Sequence, residues 1–64
     1  MNEVFRKWRR EMGLLQWEAA KLIGISQGSY SRFEKYDIAG PNIERKLLNY
    51  YKQNKAEFGG EDNV

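Results

Sequence analysis

Residues 25 to 36 read ISQGSYSRFEKY. At about 100° per residue, a helix there gathers Gln27, Gly28, Ser31, Arg32 and Lys35 on one face with no apolar side chain, and turns Tyr30 and Phe33 the other way. Amide, hydroxyl and guanidinium groups in that array can donate and accept hydrogen bonds, but they include no base or activated nucleophile. On its own such a face reads as a solvated helix surface. As a functional face, its chemistry is recognition.

The rest of the chain narrows the choice. With no histidine and no cysteine, it lacks the usual neutral-pH acid and base, the commonest metal ligand, a thiolate and any disulfide. Its nine carboxylates form no catalytic motif. This argues against an enzyme, and no metal, cofactor or small-molecule ligand is expected. No secretory signal or long apolar run is visible, so a cytoplasmic protein without a membrane segment is expected. The net charge is only +2, but residues 1–36 hold seven Lys/Arg against four Asp/Glu while residues 37–64 hold four against five. A polyanion would meet the N-terminal half.

The elements that position the polar face follow from periodicity. The spacing predicts a first helix with Phe5, Trp8 and Met12 on one side, ending at Gly13. Arg9 falls on that apolar side and requires a partner, because an unpaired buried charge is costly. A second helix is predicted over about 16–23, with Ala19, Ala20 and Ile23 inward and Trp17, Glu18 and Lys21 outward. After Gly24, Ser26 is the expected N-cap of a third helix over about 27–35. There Glu34 lies beside Tyr30, within reach of a charge such as Arg9. Gly40 and Pro41 break the pattern, and Asn42 is the expected N-cap of a fourth helix running to about Glu57, with Ile43, Leu47, Tyr50, Tyr51 and Phe58 along one stripe. Leu48 and Tyr51 widen that stripe beyond one packed face, as a dimer contact would. The fold class is thus all-α, a compact bundle of four or five helices in one domain over 1–58, with 59–64 a flexible acidic tail. At 64 residues with 41% hydrophobic content, the core is thin and a partner subunit would help.

A short helix, the turn Gly24-Ile25-Ser26 and a second amphipathic helix form a helix-turn-helix unit over about 16–35. Together with Arg9, Gly13-Leu14, Gln16, Ala20, Ser31-Arg32-Phe33-Glu34 and Pro41 in register, it resembles the Cro and lambda-repressor type of helix-turn-helix domain, the XRE family, over residues 5–47. The resemblance implies a lambda-repressor-like fold and sequence-specific binding of double-stranded DNA. It implies that Gln16, at the start of the second helix, grips a phosphate, and that Gln27, Gly28, Ser31 and Arg32 approach base edges. Gln can pair bidentately with adenine and Arg with guanine. Ser29 and Lys35 are expected near the phosphate backbone. Trp17 lies either against a sugar-phosphate edge or against a protein neighbour, and Arg6, Lys7 and Arg10 read as a solvated basic face. Arg9 and Glu34 correspond to a structural ion pair of the family.

The chain also departs from the family pattern. Leu15 stands where a Ser or Thr N-cap is usual, a loss of about 1 kcal/mol. Ala19 is smaller and Tyr30 larger than the usual branched aliphatics. Tyr36 replaces the glycine that ends the third helix, so that helix either runs on or ends in a strained turn. Asp37 stands where a basic residue is common. The segment after Tyr50 does not match.

The expectation from sequence is therefore a Cro-type repressor, like compact phage and mobile-element regulators, acting by operator occupancy. It would bind a near-palindromic operator as a homodimer, with Leu48, Tyr51 and Phe58 as candidate interface residues. The alternatives are an antitoxin, a restriction-modification controller protein, or a helical interaction module that has kept the fold and lost DNA binding.

Overall fold

A computed structural model describes residues 1–59 of the 64; the acidic tail expected over 59–64 lies, apart from Gly59, outside them. Four α-helices follow in order: α1 Asn2–Glu11, α2 Gln16–Ile23, α3 Gln27–Tyr36 and α4 Pro41–Gln53, then a 3₁₀ turn Lys55–Phe58. No strand occurs among the described residues. None of their helices is long and apolar enough to cross a membrane.

Helix α1 buries Phe5 and Trp8, one turn apart on its inner face. Met12 does not join them. The helix ends at Glu11, so Met12 is its C-cap and remains 46% exposed, where the chain turns out through Gly13 at φ +71°. Helix α2 turns Ala19, Ala20 and Ile23 inward, and the two alanines let α3 approach closely. Its N-cap residue Leu15 offers no acceptor, but the Glu18 carboxylate accepts from the Leu15 backbone N–H at 2.8 Å. One half of a capping box is thereby retained.

Gly24 closes α2 at φ +93°, a conformation that costs a side-chain-bearing residue about 1–2 kcal/mol. Lys46 Nζ of α4 donates to the Gly24 carbonyl at 3.1 Å. This holds the turn between α2 and α3 from behind. The Ser26 hydroxyl accepts from the Ser29 backbone N–H at 3.1 Å, capping α3.

Helix α3 buries Tyr30, Phe33 and Glu34. It does not run on past Tyr36. Asp37 takes the left-handed conformation that glycine would favour, φ 57°, and Asp tolerates this better than most side chains because its short carboxylate can bond locally. Asp37 Oδ1 also accepts from the Asn2 backbone N–H at 3.1 Å, an anion at the positive end of α1.

Two expectations for the C-terminal half are corrected. Helix α4 begins at Pro41 with Gly40 as its N-cap, so Asn42 lies inside the first turn; proline suits the first helical position because its missing N–H is needed by no partner there. The helix also stops at Gln53 rather than near Glu57. Asn54 terminates it, its Nδ2 donating back to the Tyr50 carbonyl at 2.9 Å. The following 3₁₀ turn then folds back and places Phe58 on α1.

There the Phe58 ring stacks on Trp8 at 5.1 Å between centroids and meets Phe5 and Tyr51 edge-on, each at 5.0 Å. Glu57 Oε1 accepts from Trp8 Nε1 and from the Tyr50 hydroxyl, both at 3.1 Å. Burial and the Glu57 carboxylate both push the Tyr50 phenol above its ordinary value. The ring of Phe58, a candidate dimer residue, is thus half-buried and packed against the intramolecular aromatic core. Tyr51 packs against the same ring, and Leu48 is half-buried. The large apolar side chains most open to solvent lie elsewhere, at Leu15, Trp17, Leu22, Tyr36 and Ile38.

Candidate functional site

Helix α3 stands on the surface with its polar face outward. Gln27, Gly28, Arg32 and Lys35 are exposed and Ser31 is half-buried, opposite the fully buried Tyr30. Lys35 Nζ sits 5.2 Å from the centre of the Tyr36 ring, so the last turn of the face carries a cation lying on an exposed aromatic. Ser29 is less free than Gln27 or Arg32: its hydroxyl accepts from Ser26 Oγ at 3.0 Å. Trp17, on α2, is 49% exposed and borders a shallow groove with Leu14, Glu18, Lys21 and Leu22.

Beneath the face lies one buried carboxylate. Glu34 is only 4% exposed and draws donors from all three N-terminal helices. Arg9 Nε donates to Oε2 at 2.6 Å and Arg9 Nη2 to Oε1 at 3.1 Å. The Tyr30 hydroxyl donates to Oε2 at 2.6 Å, and Gln16 Nε2 donates to Oε1 at 3.0 Å. Burial pushes the Glu34 carboxyl up, but the hydrogen bonds from Arg9, Tyr30 and Gln16 outweigh it and hold the group below its ordinary value. The hydrogen bond to Glu34 raises the Arg9 guanidinium in turn. Burial, then the bond to the carboxylate, pushes the Tyr30 phenol far above its ordinary value. Arg9 also donates to the Leu14 carbonyl at 2.9 Å, which fixes the chain just before α2.

Two residues carry more structure than their sequence positions suggest. Gln16, expected to face a phosphate, has its amide nitrogen on Glu34. Arg6, read as part of a solvated basic face, is half-buried and donates to the Glu34 backbone carbonyl, which also accepts from Asn2 Nδ2 at 2.9 Å. The first helix thus grips both the side chain and the backbone of Glu34. For Arg6 a usable signal existed: it lies one turn from Asn2 and three residues from Arg9, on the flank of α1 that meets α3.

The assembly is a short helix, a glycine turn and a second helix that shows solvent a row of donors, all held on α1 by an ion pair. This is the geometry of a unit that offers its second helix to a duplex groove. The model of the HTH_3 family, described as helix-turn-helix, matches residues 5–52. No curated protein and no solved structure matches the chain. The chain belongs to the HTH_3 helix-turn-helix family, of the XRE, Cro and lambda-repressor-like type, and is a DNA-binding transcription regulator of that type.

Proposed function

We propose that this regulator is a Cro-type repressor whose residues 1–58 form one DNA-binding domain that occupies a near-palindromic operator as a homodimer. The observation that carries the reading is the outer face of α3, where Gln27, Gly28 and Arg32 stand exposed with no apolar side chain among them. In this reading Gln27, Ser31 and Arg32 meet base edges in the major groove, and Gly28 lets the backbone come close. Gln16, Ser29, Lys35 and Trp17 lie along the phosphates, which supply most of the affinity and make it salt-dependent. Two copies reading successive major grooves would place their recognition helices about 34 Å apart.

Selection of bound duplexes from a random pool, followed by salt titration of the winner, tests this. An inverted repeat with half-sites one helical turn apart is the expected result. A second reading, a helical interaction module, draws on the exposed Leu15, Trp17 and Leu22 of the α2 region. No enrichment, with weak binding that vanishes at moderate salt, would favour it.

Single substitutions separate the two kinds of contact. Arg32→Ala is expected to relax discrimination at one base pair by about 1–3 kcal/mol; equal losses on operator and random duplex would contradict base reading. Gln16→Ala is expected to weaken binding to both duplexes alike, with the salt dependence unchanged because the carboxamide carries no charge.

A further inference from the structure

The side chain assigned to the phosphate is not free to search for it. Gln16 occupies the first position of α2, where a glutamine ordinarily samples many rotamers, yet its Nε2 lies 3.0 Å from Glu34 Oε1. That nitrogen carries two hydrogens. One is used by Glu34, and the other has no hydrogen-bond partner among the described residues and remains for a ligand. Leu15, the residue before it, has no side-chain acceptor to compete, and Glu18 is occupied with the Leu15 N–H.

The anchor is itself fixed from behind. Glu34 Oε2 accepts from both Tyr30 and Arg9 at 2.6 Å, so the carboxylate plane is set and Oε1 is turned toward Gln16. Arg6 and Asn2 hold the Glu34 backbone carbonyl. Arg9, Tyr30 and Gln16 all donate to this carboxylate. We propose that Tyr30 and Glu34 are positioning residues for the DNA contact of α2: through the Glu34 carboxylate they hold the Gln16 carboxamide in the orientation that meets a phosphate.

This rests on the reading of Gln16 as a phosphate contact. The physical gain is preorganisation, since the rotamer freedom of Gln16 is lost on folding instead of on binding. Tyr30 is the residue to change, because phenylalanine fills the same buried space and removes only the hydroxyl.

The experiment is a double-mutant cycle between Tyr30→Phe and Gln16→Ala in the full chain. Affinity is read on random duplex at low salt, with thermal unfolding of each variant alongside. Tyr30→Phe is expected to weaken binding about fivefold in the parent and to have no further effect in the Gln16→Ala background. Equal weakening in both backgrounds, or none in either, overturns the proposal, because a structural loss would not depend on Gln16. If Gln16→Ala alone leaves affinity unchanged, the reading of Gln16 as a phosphate contact fails first, and the proposal with it.

A measurement on the unaltered protein covers the case in which Tyr30→Phe does not fold. The Gln16 side-chain NH2 group is expected to relax in the free protein like the rigid backbone amides, with the proton bonded to Glu34 shifted downfield and the other moving when duplex is added. Relaxation typical of a mobile surface glutamine, with neither proton shifted, overturns the proposal.

Discussion

Glu34→Ala is expected to leave most of the protein unfolded at 25 °C, through a loss of about 3–5 kcal/mol. Four donor contacts from Arg9, Tyr30 and Gln16 converge on this carboxylate. Removing it strands a guanidinium and a buried phenol against an apolar core. A single core of this size supplies rarely more than about 3–5 kcal/mol of net stability, so the loss is comparable to the whole margin. Circular dichroism melting at pH 7 reads the result directly; a variant melting within a few degrees of the parent would show that the network is peripheral.

The same group fixes the acid limb of the stability curve. Its folded-state pKa is depressed, so its contribution is fully present above the unfolded value of about 4.3. The contribution drains away as pH falls through the lower folded value. The parent is therefore expected to lose stability progressively below about pH 4. Tyr30→Phe, which removes one of the hydrogen bonds that lower the Glu34 carboxyl, should show a shallower limb over the same window.

How much of this was legible in the sequence depends on the range of the interaction involved. Local signals transferred well. The apolar period placed Phe5 and Trp8 inward, the pair Ala19 and Ala20 marked the close approach of α2, and Ser26 marked the start of α3. Arg9 on an apolar face demanded a carboxylate, and Glu34 stood at a helical spacing that could supply it.

What the sequence did not disclose is how many donors one carboxylate collects. Tyr30, one turn before Glu34 on the same helix, is legible as its neighbour, but that Gln16 also points at the carboxylate depends on the packing of three helices and on individual rotamers, neither of which leaves a periodic trace. Termini were misread where two residues compete for one role. Gly40 and Asn42 are both acceptable N-caps, and proline at the first helical position decided for Gly40. For the candidate contacts Gln27, Arg32 and Lys35, periodicity and structure agree on a shared exposed face; which bases they meet is a property of the duplex as much as of the chain.

The C-terminal segment shows why an apolar stripe alone does not identify an interface. Continuing α4 at helical spacing puts Phe58 on the same stripe as Leu47 and Tyr51, and its excess width suggests a partner. The chain instead breaks at Asn54, and the 3₁₀ turn folds that width back onto α1. Phe58→Ala is accordingly expected to cost about 3 kcal/mol, at the low end for a core phenylalanine because the ring is half-buried. The loss combines the stacked contact with Trp8 and the edge contacts with Phe5, Tyr50 and Tyr51 with the weakened hold of Glu57 on Trp8 and Tyr50.

The two roles differ in their concentration dependence. A ring in the monomer core gives the same drop in melting temperature at every protein concentration. A ring at a dimer face gives a parent whose melting temperature climbs with concentration and a variant whose temperature does not. Melting curves over a hundredfold range of concentration decide between them, and a concentration-dependent gap between parent and Phe58→Ala would return Phe58 to the interface. With Phe58 in the monomer core, the second copy proposed above is to be sought at side chains that the fold leaves open, of which Tyr36, the last residue of α3, and Ile38 just after it are 58% and 59% exposed.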